Sequence, residues 1–230
     1  MNLSYETFLQ EFENLVGDEW SCLFDLYHER LNLKNKNIAT KKFKTIIESV
    51  FKLTQSKGFQ AMTLRDLSQE SGISMGGLYK YFANKNQIAE MIHAAMIRMA
   101  EICLQSNPEQ NNDPVFELNE LLARHIFISE RLKKWFYFVF MECKCLDREL
   151  LETIIASEQF MEQAIFEKID SANQQGLSQC TNADFVAAML KVMLQEWYLK
   201  SWKYQQKNIN ADQYVANLLL SVYQLIQVKQ

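Results

Sequence analysis

The sequence predicts an all-α protein, and three observations carry that reading. Apolar residues recur at helical spacing through nearly the whole 230-residue chain, and no useful length of it alternates as a strand does. Apolar content is 48%, with only six glycines and two prolines, which excludes disordered and collagen-like classes. Both prolines fall in one polar, breaker-rich piece, SNPEQNNDP (106–114), so the remainder is left free to form helices.

Taken in order, residues 4–16 and 18–33 form two short helices of an acidic extension. From Thr40 the spacing of Phe43, Ile46, Ile47, Val50 and Phe51 makes one apolar helical face, ending at Gly58 as a C-terminal cap. Two short helices follow within 59–83. Asn84 and Gln87 have the spacing of a capping box and open a long helix reaching about Leu104. Asp113-Pro114 reads as an N-cap followed by proline at the first helical position. Further helices are expected at about 114–128, 130–146, 148–174, 182–205 and 211–228. The domain division that follows is an extension at 1–38, a head at 39–105 and a body at 106–230.

The formal net charge is −4, but it is unevenly placed. Residues 34–94 hold ten basic and four acidic residues, a net of +6, which leaves −10 for the rest. A segment built to meet an anion fits this division, as does a merely solvated lysine-rich face. The five cysteines are odd in number and lack metal-ligand spacing, as expected of reduced thiols in a cytoplasmic protein. Residues 1–20 carry five acidic and no basic groups, unlike a signal peptide. WFYFVFM (135–141), the most apolar run, is far short of the ~20 residues a membrane helix needs, so no membrane partner is expected.

The chemistry concentrates in SGISMGGLYKYFANK (71–85). Thr63 is placed to cap a short helix that buries Leu64 and Leu67. Ser71-Gly72-Ile73 makes a tight turn, and Ser74 caps a second helix expected to run to Phe82. Two short helices joined by a glycine-containing turn, the second exposed, make a helix-turn-helix. Glycine inside a helix costs roughly 1 kcal/mol relative to alanine, so Gly76 and Gly77 side by side require a reason. Bare backbone at the start of a recognition helix lets it approach DNA closely. Tyr79 and Tyr81 offer hydroxyl donors to phosphates, and Lys80 and Lys85 offer charge.

Thr63, Leu67-Ser68, Ser71-Gly72-Ile73-Ser74, Gly76, Leu78-Tyr79, Tyr81-Phe82 and Asn84-Lys85 together resemble the DNA-binding signature of the tetracycline-repressor (TetR) family. The resemblance covers about Thr40 to Met99, roughly a quarter of the chain. It implies a three-helix DNA-binding head, a divergent helical ligand-binding and dimerisation body, and a homodimer on double-stranded operator DNA. Phosphate contacts are implied for Thr63, Tyr79, Tyr81 and Lys85, with base-edge or near-base roles for Arg65, Met75, Gly76, Gly77 and Lys80. Ser68 and Ser71 depart from the small apolar residues usual there, which suggests slightly looser packing. The 38 residues ahead of the head are also unusual.

In the body, Trp135 and Phe138 of the WFYFVF run, with Phe160, Phe185 and Trp197, are candidates to line an effector pocket for a small apolar or amphipathic molecule. A packed core without a cavity is the competing reading. Met189, Met193, Val215, Leu218, Leu219, Val222 and Ile226 lie on stripes of the last two long helices and are expected at a dimer interface. The alternative puts those stripes in the chain's own core. His28, His93 and His125 are scattered, and no Walker loop, GxSxG or HExxH occurs, so no enzyme chemistry, cofactor or metal is expected. An interaction adaptor with a degenerate head is a further alternative.

Overall fold

The structure, a computed structural model, describes residues 3–105, 112–142 and 148–228, and every regular element among them is a helix. The described chain forms two compact units. One comprises Met1–Phe12, Ile102–Lys133 and Ile155–Gln230, and the other comprises Glu13–Glu101 and Lys134–Ile154.

In the second unit, α2 (Glu19–Tyr27) starts where the Asp18 carboxylate accepts the N–H groups of Trp20 and Ser21. It packs on α3 (Lys36–Lys57), which is capped by Asn35, starts four residues before the expected Thr40 and is closed by Gly58 at φ +78°. Next come α4 (Leu64–Ser71) and α5 (Met75–Leu78). The long α6 (Lys85–Gln105) opens where the Asn84 carboxamide accepts Gln87 N–H. Phe43, Ile46, Ile47, Val50, Leu67, Leu78, Phe82 and Ile88 form the core of this unit.

The WFYFVF run brings a correction. Trp135 and Phe138 lie on α8 (Lys133–Glu142) and were expected to line an effector pocket in the body. They pack instead with the head: the Trp135 and Phe138 rings lie 5.6 and 5.8 Å from Phe51, and Phe138 stands edge-on to Phe59 at 5.1 Å. Trp20 of the extension meets Trp135 at 5.6 Å. A helix apolar on most sides buries against whichever apolar faces surround it, and periodicity does not name them.

The first unit is built on α7 (Pro114–Arg131), with the expected Asp113 cap and Pro114 at its start. To it belong α9 (Arg148–Gln174) from Ile155 onward, α10 (Ala183–Leu199), the short α11 (Ser201–Gln205) and α12 (Ala211–Leu225). The helix expected at 182–205 is broken at Lys200. The extension's first helix, α1 (Tyr5–Leu15), docks here through buried Phe8 and Phe12, with Phe8 and Tyr5 5.8 and 5.7 Å from Phe127. Arg124 is 2% exposed and meets Glu11 of α1 at 2.8 Å and Glu120 at 3.3 Å. A buried guanidinium persists only when paired and hydrogen-bonded, and here α1 and α7 each supply one carboxylate to it.

Candidate nucleic-acid interface

The helix-turn-helix is built as its residues dictate. Thr63 Oγ1 accepts Asp66 N–H while Asp66 Oδ2 accepts from Thr63 N–H and hydroxyl, a reciprocal capping box. Lys57 Nζ stands 2.9 Å from Asp66, and that contact, with the Thr63 bonds, holds the carboxyl down at about 2. Gly72 closes α4 in the left-handed region at φ +67°. Ser74 Oγ then accepts Gly77 N–H and opens α5.

The two serines that depart from the family pattern do not loosen this turn. Ser68 Oγ donates to the Ile73 carbonyl at 2.7 Å and Ser71 Oγ to the Leu67 carbonyl at 2.6 Å. The first satisfies a carbonyl that the tight turn leaves over, and the second bonds back onto the last turn of α4. The recognition helix is shorter than expected. Regular α5 ends at Leu78, and Tyr79 to Tyr81 continue as a tighter turn in which Tyr81 N–H donates to the Leu78 carbonyl.

The paired glycines have separate reasons. A Cβ on Gly76 would meet nothing within 4 Å, so this position presents open backbone at the surface. A Cβ on Gly77 would stand 2.8 Å from Ile73 Cγ2 and 3.3 Å from Ser74 Oγ, so the turn itself demands glycine.

The expected contact residues also divide. Thr63, Arg65, Ser74, Gly76, Tyr79 and Lys80 are exposed, Tyr79 at 54%, and Met75 and Gly77 are half-buried. Tyr81 was expected to reach phosphate and is corrected: it is buried, edge-on to Phe43 at 5.2 Å, and burial pushes its phenol pKa up. Its i+2 spacing from Tyr79 turns it to the other side of the helix, into the core. Lys85 is half-buried, with Nζ directed to backbone carbonyls of the turn before α4. Lys52 pairs with Glu70 and Lys57 with Asp66.

In the first unit the five expected pocket residues do not come together. Phe160 and Phe185 are 71% and 60% exposed, and Trp135 and Phe138 belong to the other unit. Trp197 alone of the five borders a cleft of about 440 Å³, with Tyr5, Glu130, Ser201, Gln205 and Ile209 among its other walls. Those walls come from separate segments of the chain, and no local pattern announces them. Val215, Leu218, Val222 and Ile226, expected at a dimer interface, are buried in the unit's own core, and Leu219 and Met193 are half-buried. The outward face of α12 carries Ala216, Leu220 and Tyr223, and that of α10 carries Phe185, Met189 and Val192.

Comparison with known proteins agrees with this geometry. The family described as bacterial regulatory proteins, tetR family, matches residues 46–92. The biofilm operon icaADBC HTH-type negative transcriptional regulator IcaR of Staphylococcus aureus is 23% identical over 184 residues, which cover 80% of this chain and 96% of IcaR. A tetR-family regulatory protein from Rhodococcus RHA1 superposes with a TM-score of 0.73 at 12% identity, covering 83% of this chain and 99% of its own. AibR, solved in complex with isovaleryl coenzyme A and operator DNA, gives a TM-score of 0.68 at 19% identity, covering 82% and 100%. The fatty acid degradation regulator FadR from Bacillus halodurans gives 0.58 at 19% identity, covering 80% and 94%.

Proposed function

We propose that this chain, which belongs to the TetR family of bacterial transcriptional regulators, represses its target genes in the cytoplasm as a homodimer bound to an inverted-repeat operator, under the control of a small amphipathic effector. As a family member it is a DNA-binding transcription factor and not an enzyme. The observation that carries the finer reading is the exposed face of the helix-turn-helix. Gly76 leaves open backbone at the tip, flanked by exposed Arg65, Tyr79 and Lys80, with Met75 and Gly77 beside it and the hydroxyls of Thr63 and Ser74 near the helix starts. Tyr79 is assigned to phosphate, which sets register, and Arg65, Met75 and Lys80 to base edges or their surroundings. Thr63, expected at phosphate, gives both its N–H and its hydroxyl to Asp66 and so acts as the cap of α4.

Repression is supported by IcaR, a negative regulator. The dimer is supported by Phe185, Met189, Val192, Leu220 and Tyr223 on the outward faces of α10 and α12, an amount of exposed apolar surface that a second copy would cover. Such a two-fold places two recognition helices in successive major grooves, hence an inverted-repeat operator. An effector that prefers one of two states shifts DNA affinity by its differential affinity for them. AibR is a regulator of this fold bound to both an acyl coenzyme A and operator DNA. The cleft beside Trp197 and Tyr5 is the effector site favoured by its volume and its mixed aromatic and polar walls.

Selection of duplexes from a randomised pool tests the reading. Recovered duplexes are expected to share an inverted repeat and to be bound far more tightly than mixed-sequence DNA. A pool that shows no enrichment contradicts it.

A further inference from the structure

The Phe59–Gln60 turn, which delivers the chain from α3 into α4, is held from both sides by charged groups. From one side, Glu142 at the end of α8 accepts the Phe59 N–H at 2.8 Å. From the other, Lys85 at the start of α6 donates to the Gln60 carbonyl at 2.6 Å and to the Phe59 carbonyl at 3.4 Å. Its ammonium also stands 5.6 Å from the centre of the Phe59 ring, and the same ring meets Phe138 of α8 at 5.1 Å. Phe59 is buried, so its amide depends on these partners for satisfaction. Three residues further on lies Thr63, the cap that orients α4 and, through the Gly72 turn, α5.

We propose that Glu142 and Lys85 are positioning residues for DNA binding: together they clamp the Phe59–Gln60 turn and so set the orientation of the helix-turn-helix. The proposal rests on the DNA-binding reading and departs from it at Lys85, which acts through the turn rather than as a phosphate contact. It also gives α8 a task in the head. The direction of the Glu142 effect separates this role from simple electrostatics. A carboxylate in a DNA-binding unit repels phosphate, so its removal by charge alone tightens binding. As a clamp, its removal weakens binding. Loss of one hydrogen bond to a charged group is expected to lower affinity about tenfold, equivalent to about 1.4 kcal/mol, if the bound orientation must then be restored.

The test uses the full chain with a duplex selected from a randomised pool by the wild type and a mixed-sequence duplex, each titrated over a range of salt. Glu142→Ala and Lys85→Met are expected to weaken binding to the selected duplex about tenfold, with the wild-type slope of log affinity against log salt. Amide exchange at Phe59 and Gln60 is expected to accelerate in both. Glu142→Gln, whose side-chain carbonyl still accepts the Phe59 N–H, is expected to restore affinity and protection, and so answers for any folding defect of the alanine variant. Unchanged or tighter binding by Glu142→Ala overturns the clamp. So does a salt slope lowered by about one contact in Lys85→Met, which makes Lys85 a phosphate ligand. Wild-type protein that selects no duplex removes the regulator reading beneath the proposal, an outcome distinct from either.

Discussion

A Cβ on Gly77 would stand 2.8 Å from the Cγ2 methyl of Ile73, closer than packed carbon atoms allow. Ile73 is β-branched and stiff at χ1, so it yields little. Gly77→Ala is therefore expected to cost about 1–3 kcal/mol through overpacking, offset in part by the helix propensity that alanine adds. Urea unfolding checks it.

Gly76 has no neighbour within 4 Å of its would-be Cβ, and the opposite result is expected there. Gly76→Leu is expected to leave the unfolding midpoint at or slightly above wild type while abolishing operator binding, because the side chain holds the recognition helix off the groove. Full operator affinity in that variant contradicts the assignment of this face to DNA.

Asp66, with its carboxyl held at about 2 by Lys57 and Thr63, is expected to make the head modestly acid-sensitive in a defined window. Its ordinary value is near 4. A depressed folded value contributes stability that is fully present above the ordinary value and lost as pH falls through the folded one. Unfolding midpoints measured between pH 5 and pH 2 are expected to fall more steeply for wild type than for Asp66→Asn, which has no proton to take up there.

Arg124 is expected to dominate the stability of its unit. Breaking a buried pair from one side costs about 3–5 kcal/mol, and Arg124→Ala removes the guanidinium that pairs with both Glu120 and Glu11. Glu11→Ala is expected to cost less, about 1.5–3 kcal/mol, because Arg124 keeps Glu120. Thermal unfolding of the two variants checks the order.

On the surface proposed for the dimer, Val192 and Leu220 are both 63% exposed, so a glutamate at either position is expected to be tolerated by the single chain. Val192→Glu and Leu220→Glu are expected to sediment as folded monomers and to lose operator affinity. Leu218→Glu, in the core, is expected to unfold the unit. A wild-type monomer at micromolar concentration that still binds its operator tightly contradicts the dimer.

The sequence by itself determined the all-α class, most helix limits and the helix-turn-helix, because these follow from local rules. Thr63, Ser74, Asp113, Asn182 and Asn210 cap because their side chains reach backbone amides two or three residues ahead. Gly58 and Gly72 close helices because glycine alone tolerates a positive φ at little cost. The family signature was legible for the same reason: its residues lie within one short stretch. Tertiary structure decided which apolar face meets which. It turned Tyr81 into the core, sent Trp135 and Phe138 to the head, and buried Val215, Leu218, Val222 and Ile226 while leaving Leu220 outside. It also brought Glu11 of the acidic extension to Arg124 across 113 positions of sequence. Helical periodicity states that a face is apolar, and hydrophobic burial has no direction of its own, so only the packed chain selects the partner.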